Sequence, residues 1–308
     1  MTRNRPGAAG RFAPGRAKPE EGQMVSLRHK AASYTELVRL PHLFIAMADP
    51  LAGFIAASST GMDIFKFPYL LASSALIYAG GSACNDFADR EQDPADRPIP
   101  SGWVSPGGAL SLGVVLIIAG VLCASAAGFY PLLIALALSA AVVSYNAGLK
   151  NGVLSGAVTM GLCRALNLSV GLSAGSMSKG LLVLPLIIFA FVFAITLLRR
   201  HSRAENTLSP GIGVLSGWIG ACAAMQYLLF SGFFMGEGLV FAAAFYITSG
   251  AAVIMALSGR LGTNTAVKAL LLSIPLLDAA FSAGTGGLSA GLPVAALALP
   301  AMVLSRRV

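Results

Sequence analysis

The chain is a succession of long apolar stretches separated by short polar breaks, and that one property leaves few architectures open. Runs of roughly membrane-spanning length lie at about 38–58, 66–85, 107–128, 130–148, 153–174, 181–198, 211–231, 238–258, 266–283 and 288–304. A segment in hydrocarbon must satisfy its own backbone N–H and C=O groups, so repeated runs of this length predict helices. The expected fold is all-α: a polytopic integral membrane bundle of nine or ten transmembrane helices around a central cavity. The choice between nine and ten rests on the weak polar break from Gly284 to Gly291. Composition agrees, since 56% of the residues are hydrophobic and 11% charged, too few charges to cover a water-soluble surface. A soluble enzyme, a coiled coil and a disordered chain are excluded.

Residues 1–31 are rich in Gly, Pro and Arg without apolar periodicity and read as a disordered basic cytoplasmic tail, leaving 32–308 as the membrane domain. Seven of the 21 Lys and Arg residues sit in the first 30 positions, and the formal net charge is +8. That excess suits anionic membrane lipid better than nucleic acid, and nothing in the chain calls for a protein partner. With the tail inside, the inner loops hold Arg90, Arg97, Lys150, Arg199, Arg200, Arg203, Arg260 and Lys268, and the outer loops only Lys66 and Lys179. This positive-inside bias predicts an inner or plasma membrane protein with its N-terminus and polar loops cytoplasmic. Arg306 and Arg307 fall on the same side if there are ten spans. The four cysteines lie in apolar stretches without CxxC or Cys/His spacing, so they read as packing residues rather than redox or zinc ligands.

The acidic residues are distributed more tellingly. Asp86, Asp89, Glu91, Asp93 and Asp96 place five of the 13 carboxylates within eleven residues, at the inner end of the second span. On a helix, Asn85, Asp86, Asp89 and Asp93 fall within an arc of about 100°. Carboxylates that close repel one another unless a cation lies among them. An all-oxygen donor set without His or Cys suits Mg²⁺, which keeps several waters and completes its shell with substrate phosphates. The turn-rich segment Arg97 to Gly102 (RPIPSG) carries an arginine back over this end. The fourth span closes on Tyr145, Asn146 and Lys150, placing a base where an anionic leaving group needs one.

NDxxDxxxD on the second span, RPIPSG after it and a Tyr-x4-Lys at the end of the fourth span together resemble the UbiA superfamily of intramembrane prenyltransferases. The segments Glu36 to His42 (ELVRLPH), Ala46 to Asp49 (AMAD) and Gly161 to Asn167 (GLCRALN) are most similar to its EboC-like branch, associated with secondary-metabolite clusters. The resemblance implies Mg²⁺-dependent transfer of a prenyl group from a prenyl diphosphate to a hydrophobic acceptor. Carried over by position, Asn85, Asp86, Asp89 and Asp93 become metal ligands, with Asp86, Asp89 and Lys150 catalytic. Asn85, Arg97, Tyr145 and Asn146 become substrate contacts. The family's second Asp-rich motif is expected after the sixth span. Here that stretch reads RRHSRAEN, so Glu205 is its one remaining carboxylate and Arg199, Arg200 and Arg203 stand where they meet phosphate directly.

Polar residues inside spans are costly and point to function by default. Arg164 and Asn167, at i and i+3 on the fifth span, face either a substrate or a neighbouring helix. Asp49 and Asp278 either pair with basic residues across the bundle or line an ion path. Two further classes remain open: a prenyl-lipid or metabolite binding protein on the same fold, favoured by the altered second motif, and a secondary transporter, disfavoured by the absence of internal repeats.

Overall fold

The computed structural model describes residues 19–58, 63–176, 179–201 and 209–305. Its helices in chain order are α1 (Pro19–Leu37), α2 (Leu40–Ala57), α3 (Phe67–Asp89), α4 (Pro106–Ala127), α5 (Phe129–Ala147), α6 (Val153–Leu172), α7 (Val183–His201), α8 (Ser209–Phe230), α9 (Gly238–Leu257), α10 (Thr263–Gly286), α11 (Leu288–Ala296) and α12 (Ala298–Ser305). Each of the ten apolar runs has a counterpart, and the tenth is divided into α11 and α12. Among the described residues, seven helices are long and apolar enough to cross a membrane by length and composition. The membrane domain is a helical bundle, as the apolar runs demand.

The boundary of the tail needs correction, because α1 already begins at Pro19. Pro19 opens the helix with its φ preset. At the other end of α1, Leu37 is buried in a small cluster with Ala83, Ile99, Val104 and Ala109. That contact docks α1 against the same end of the bundle as the acidic motif.

Small residues bring the helices close. On α4 the buried positions are Ala109, Gly113, Ile117, Gly120, Ala124 and Ala127, a stripe at helical spacing that faces α3. A Cβ on Gly113 would lie 2.6 Å from the Cys84 Sγ, and one on Gly120 2.6 Å from Ile77 Cγ1. This contact fixes α3 lengthwise and so fixes the acidic residues at its end. Across the bundle, a Cβ on Gly171 of α6 would collide with the Pro50 carbonyl of α2. α10 is buried along most of its length and packs against α2, α7 and α9.

Pro50 stands inside α2 and lacks the N–H that would otherwise bond the Ala46 carbonyl. That freed oxygen accepts from Asn167 Nδ2 at 2.7 Å and from Ser74 Oγ at 2.9 Å. The break in α2 is thereby closed by side chains of α6 and α3, so the three helices are joined at one carbonyl.

Candidate active site

α3 ends at Asp89, and the chain turns away from Arg90 onward. Asp93 is held one turn beyond by its N–H on the Asp89 carbonyl, at 2.9 Å. The single acidic face expected over Asn85, Asp86, Asp89 and Asp93 is corrected accordingly: Asp93 is not helical, and the remaining three residues diverge. Adjacent residues on a helix point about 100° apart, which sends Asp86 one way and Asn85 with Asp89 another.

Asn85 and Asp89 meet Lys150, which lies in a 3₁₀ turn, Leu149–Asn151, directly after α5. Lys150 Nζ is 2.6 Å from Asp89 Oδ1 and donates to Asn85 Oδ1 at 3.2 Å. Asn85 Nδ2 donates in turn to Asp89 Oδ2 at 3.0 Å. The group is part-exposed, with 30% of the Asp89 side chain accessible. Asn146, on the last turn of α5, donates to the Gly81 carbonyl at 3.0 Å and is thus a tie between α5 and α3.

Asp86 is buried and enclosed by arginines. Arg39 Nη2 donates to its Oδ1 at 3.0 Å, and Arg97 Nη2 reaches its Oδ2 at 3.1 Å. Arg97 also donates through Nη1 to Glu36 of α1 at 2.8 Å. Arg39 joins α1 to α2 with φ 51° and ψ 54°, making it the one non-glycine residue with positive φ among the described residues. Such a conformation costs about 1–2 kcal/mol and persists where its surroundings hold it. Here the Asp86 carboxylate is the holding group, with Tyr78 and Tyr145 as further electrostatic neighbours of the guanidinium. Glu36 and Arg39 lay within the ELVRLPH segment without standing out as site residues. The signal that would have found them is charge at the edge of an apolar run, opposite an acidic motif.

Asp93 is half-buried, and burial pushes its carboxyl up; the charge of Arg97 opposes the rise, and those of Asp86 and Asp89 add to it. Asn85, Asp89 and Asp93 are an all-oxygen donor set of the kind Mg²⁺ takes together with phosphate and water. Lys150 sits on Asp89 Oδ1 and Asn85 Oδ1 and would have to give way to an ion there. Asp86 is the poorer ligand, because it is buried and both of its oxygens face guanidinium groups. Among the described residues, no three acidic, His or Cys side chains converge into a preformed metal cage.

Arg164 and Asn167 are corrected from substrate contacts to helix ties. Arg164 Nη2 lies 3.0 Å from Asp49 Oδ1 and 3.3 Å from the Ile45 carbonyl. Asn167 Nδ2 adds a 2.8 Å bond to Asp49 Oδ2 to the one it makes with Ala46. Both side chains bond to α2. Arg199 is exposed in the last turn of α7, and Arg200 is placed there by its backbone alone. Arg203 and Glu205 lie outside the described residues.

The model of the UbiA prenyltransferase family matches residues 50–271 of the chain. The digeranylgeranylglyceryl phosphate synthase of Metallosphaera sedula is 29% identical over 275 residues, covering 82% of this chain and 95% of that protein. A protoheme IX farnesyltransferase of Cenarchaeum symbiosum is 28% identical over 187 residues, 57% of this chain and 62% of its own. The fold is also that of a UbiA homologue from Archaeoglobus fulgidus solved with DMAPP and Mg²⁺, at a TM-score of 0.66 and 15% identity over 86% of this chain and 99% of that one. With the family match spanning most of the bundle and the acidic motif at its expected end, the chain belongs to the UbiA prenyltransferase family and is a membrane-embedded prenyltransferase.

Proposed function

We propose that the protein transfers the prenyl group of a prenyl diphosphate to a lipid-like or aromatic acceptor, using Mg²⁺ at the end of α3. The observation that carries this reading is the Asn85, Asp89, Lys150 constellation, which sets carboxylate, amide and ammonium side by side at the mouth of an apolar bundle. Asn85, Asp89 and Asp93 would hold the ion, which when bound supplies positive charge to the departing diphosphate.

The chain's own groups do the rest. Lys150, already seated among oxygens, is placed to give its charge to diphosphate oxygens as negative charge develops there. Asp86 is a positioning residue: its paired arginines tie α1, α3 and the loop after α3 together and fix the direction of Asp89. Arg97 and Arg39 carry the remaining positive charge of the mouth. Tyr145, an electrostatic neighbour of Arg39, is a further substrate contact in this reading. Arg199, Arg200 and Arg203 supply direct phosphate contacts, and with Glu205 as the second motif's lone carboxylate the site needs fewer metal ions than two full Asp-rich motifs would.

Purified protein in detergent, incubated with radiolabelled dimethylallyl or geranyl diphosphate with and without Mg²⁺, is expected to release diphosphate only when the ion and a suitable acceptor are present. The internal counter-charges on Asp86 and Asp89 also favour a second reading, in which a prenyl lipid is bound without transfer. Binding of the labelled diphosphate with no release in any acceptor extract would select it.

The mouth is cytoplasmic in this reading, supported by the basic residues of the inner loops. In a chain whose four native cysteines are replaced, a cysteine at exposed Ser101 is expected to react from the same side as a tag at the N-terminus. Reaction from the opposite side would overturn the orientation.

A further inference from the structure

Around the middle of α2, α6 and α10, three polar side chains, Asp49, Asn167 and Asp278, are buried beside Arg164, which is 12% exposed. Asp49 and Asp278 are both 0% exposed. Asp49 is served at one oxygen and charge-paired at the other: Asn167 donates to its Oδ2 and Arg164 stands 3.0 Å from its Oδ1. Asp278 is not served at all, since nothing among the described residues donates to either of its carboxyl oxygens. The hydroxyls on its own helix are spent elsewhere, Ser273 on the Leu270 carbonyl at 2.7 Å and Ser282 on the main-chain oxygen of Asp278 at 3.1 Å.

What does lie within hydrogen-bonding reach of the Asp278 carboxyl is the carboxyl of Asp49. Asp49 Oδ1 itself accepts no hydrogen bond among the described residues, although Arg164 Nη2 lies 3.0 Å away. Two acceptors therefore face each other with no hydrogen between them, and a single proton would satisfy both.

Charge balance leads to the same place. The helices that pack here bring one cation to this level, Arg164. α2 and α6 carry no other Lys or Arg, His42 of α2 lies two turns before Asp49, and α10 carries Lys268, exposed and ten positions before Asp278. α9, α11 and α12 carry no charged residue, and the basic residues of α7 are confined to its last turn. Two ionised carboxylates against one guanidinium would leave a net negative charge among apolar side chains, which is strongly unfavourable. A metal cation would need a shell of several oxygens. The α10 neighbours of Asp278 at i−4, i−1 and i+3 are Ile274, Leu277 and Phe281, all buried.

We infer that Asp49 and Asp278 form a proton-binding site in the middle of the bundle, with Asp278 as the neutral acid donating its O–H to the Asp49 carboxylate. Asp49 stays ionised because Arg164 and Asn167 serve it. The docking of α10 on α2 then depends on one bound proton, independently of the chemistry at the mouth.

The test is infrared spectroscopy of the full-length protein in detergent at neutral pH. Wild type is expected to show a carboxylic acid C=O stretching band that moves on transfer to D2O. Asp278→Asn should remove it, the amide now donating to Asp49. Asp49→Asn should remove it as well, because Asp278 is then the one carboxylate facing Arg164 and ionises. That second variant carries the test if the first does not fold. Absence of the band in wild type, or its survival in either variant, would overturn the proposal. So would a melting temperature that rises with NaCl over choline chloride in wild type alone, which would make the pair a sodium site.

Discussion

Asp89→Asn is expected to lower prenyl transfer by roughly 10²–10³-fold, the scale of losing one preorganised electrostatic contact to a transition state, with little change in thermal unfolding. The side chain is part-exposed, and the asparagine still offers Lys150 and Asn85 an acceptor oxygen. Asp86→Asn is expected to behave in the opposite way. It leaves Arg39 and Arg97 facing an amide in place of a buried carboxylate and removes what holds the left-handed backbone of Arg39. Breaking a fully buried pair costs roughly 3–5 kcal/mol, and the cost here falls below that range because about a third of Arg39 and a quarter of Arg97 remain accessible. Transfer assays beside melting curves separate the two. A dead Asp86→Asn variant with unchanged stability, paired with a fully active Asp89→Asn, would reverse the roles assigned to the two carboxylates.

That division of labour was not legible in the sequence, and the reason is geometric. Spacing at 100° per residue places Asn85, Asp86, Asp89 and Asp93 within one arc, but it says nothing about which neighbours stand at the arc's two edges. Arg39, supplied by a helix junction 47 residues earlier, claims Asp86 and takes it out of the donor set. The ten apolar runs were legible to within a few residues because span length is set by bilayer thickness, a constraint each run meets alone. The start of α1 at Pro19 was not, since a helix with mixed polarity has no apolar period to announce it. Arg164 and Asn167 were recognisable as costly intramembrane residues. Their partner, a carbonyl stripped of its donor by Pro50, becomes visible only when α6 is laid against α2.

Arg164→Met is expected to produce the largest loss of stability of any single substitution in the bundle, roughly 3–5 kcal/mol, because it strands an ionised carboxylate in an apolar interior. The guanidinium side chain is 12% exposed and Asp49 is 0% exposed, so water cannot take over the lost interaction. Asp49→Leu alone is expected to cost less, since Asp278 stands within reach to become the partner of Arg164. Replacing both residues, Asp49→Leu with Arg164→Met, removes the two charges together and should recover most of the loss of the arginine variant, leaving the unpaired Asn167 amide and the acid of Asp278 as the residual penalty. Unfolding in mixed detergent micelles, followed by loss of helical circular dichroism, gives the three free energies. If Arg164→Met unfolds within about 1 kcal/mol of wild type, the ion pair contributes no more than an exposed one does. Arg164 would then be free for another task, and the reading of α2, α6 and α10 as one charge-balanced joint would be lost.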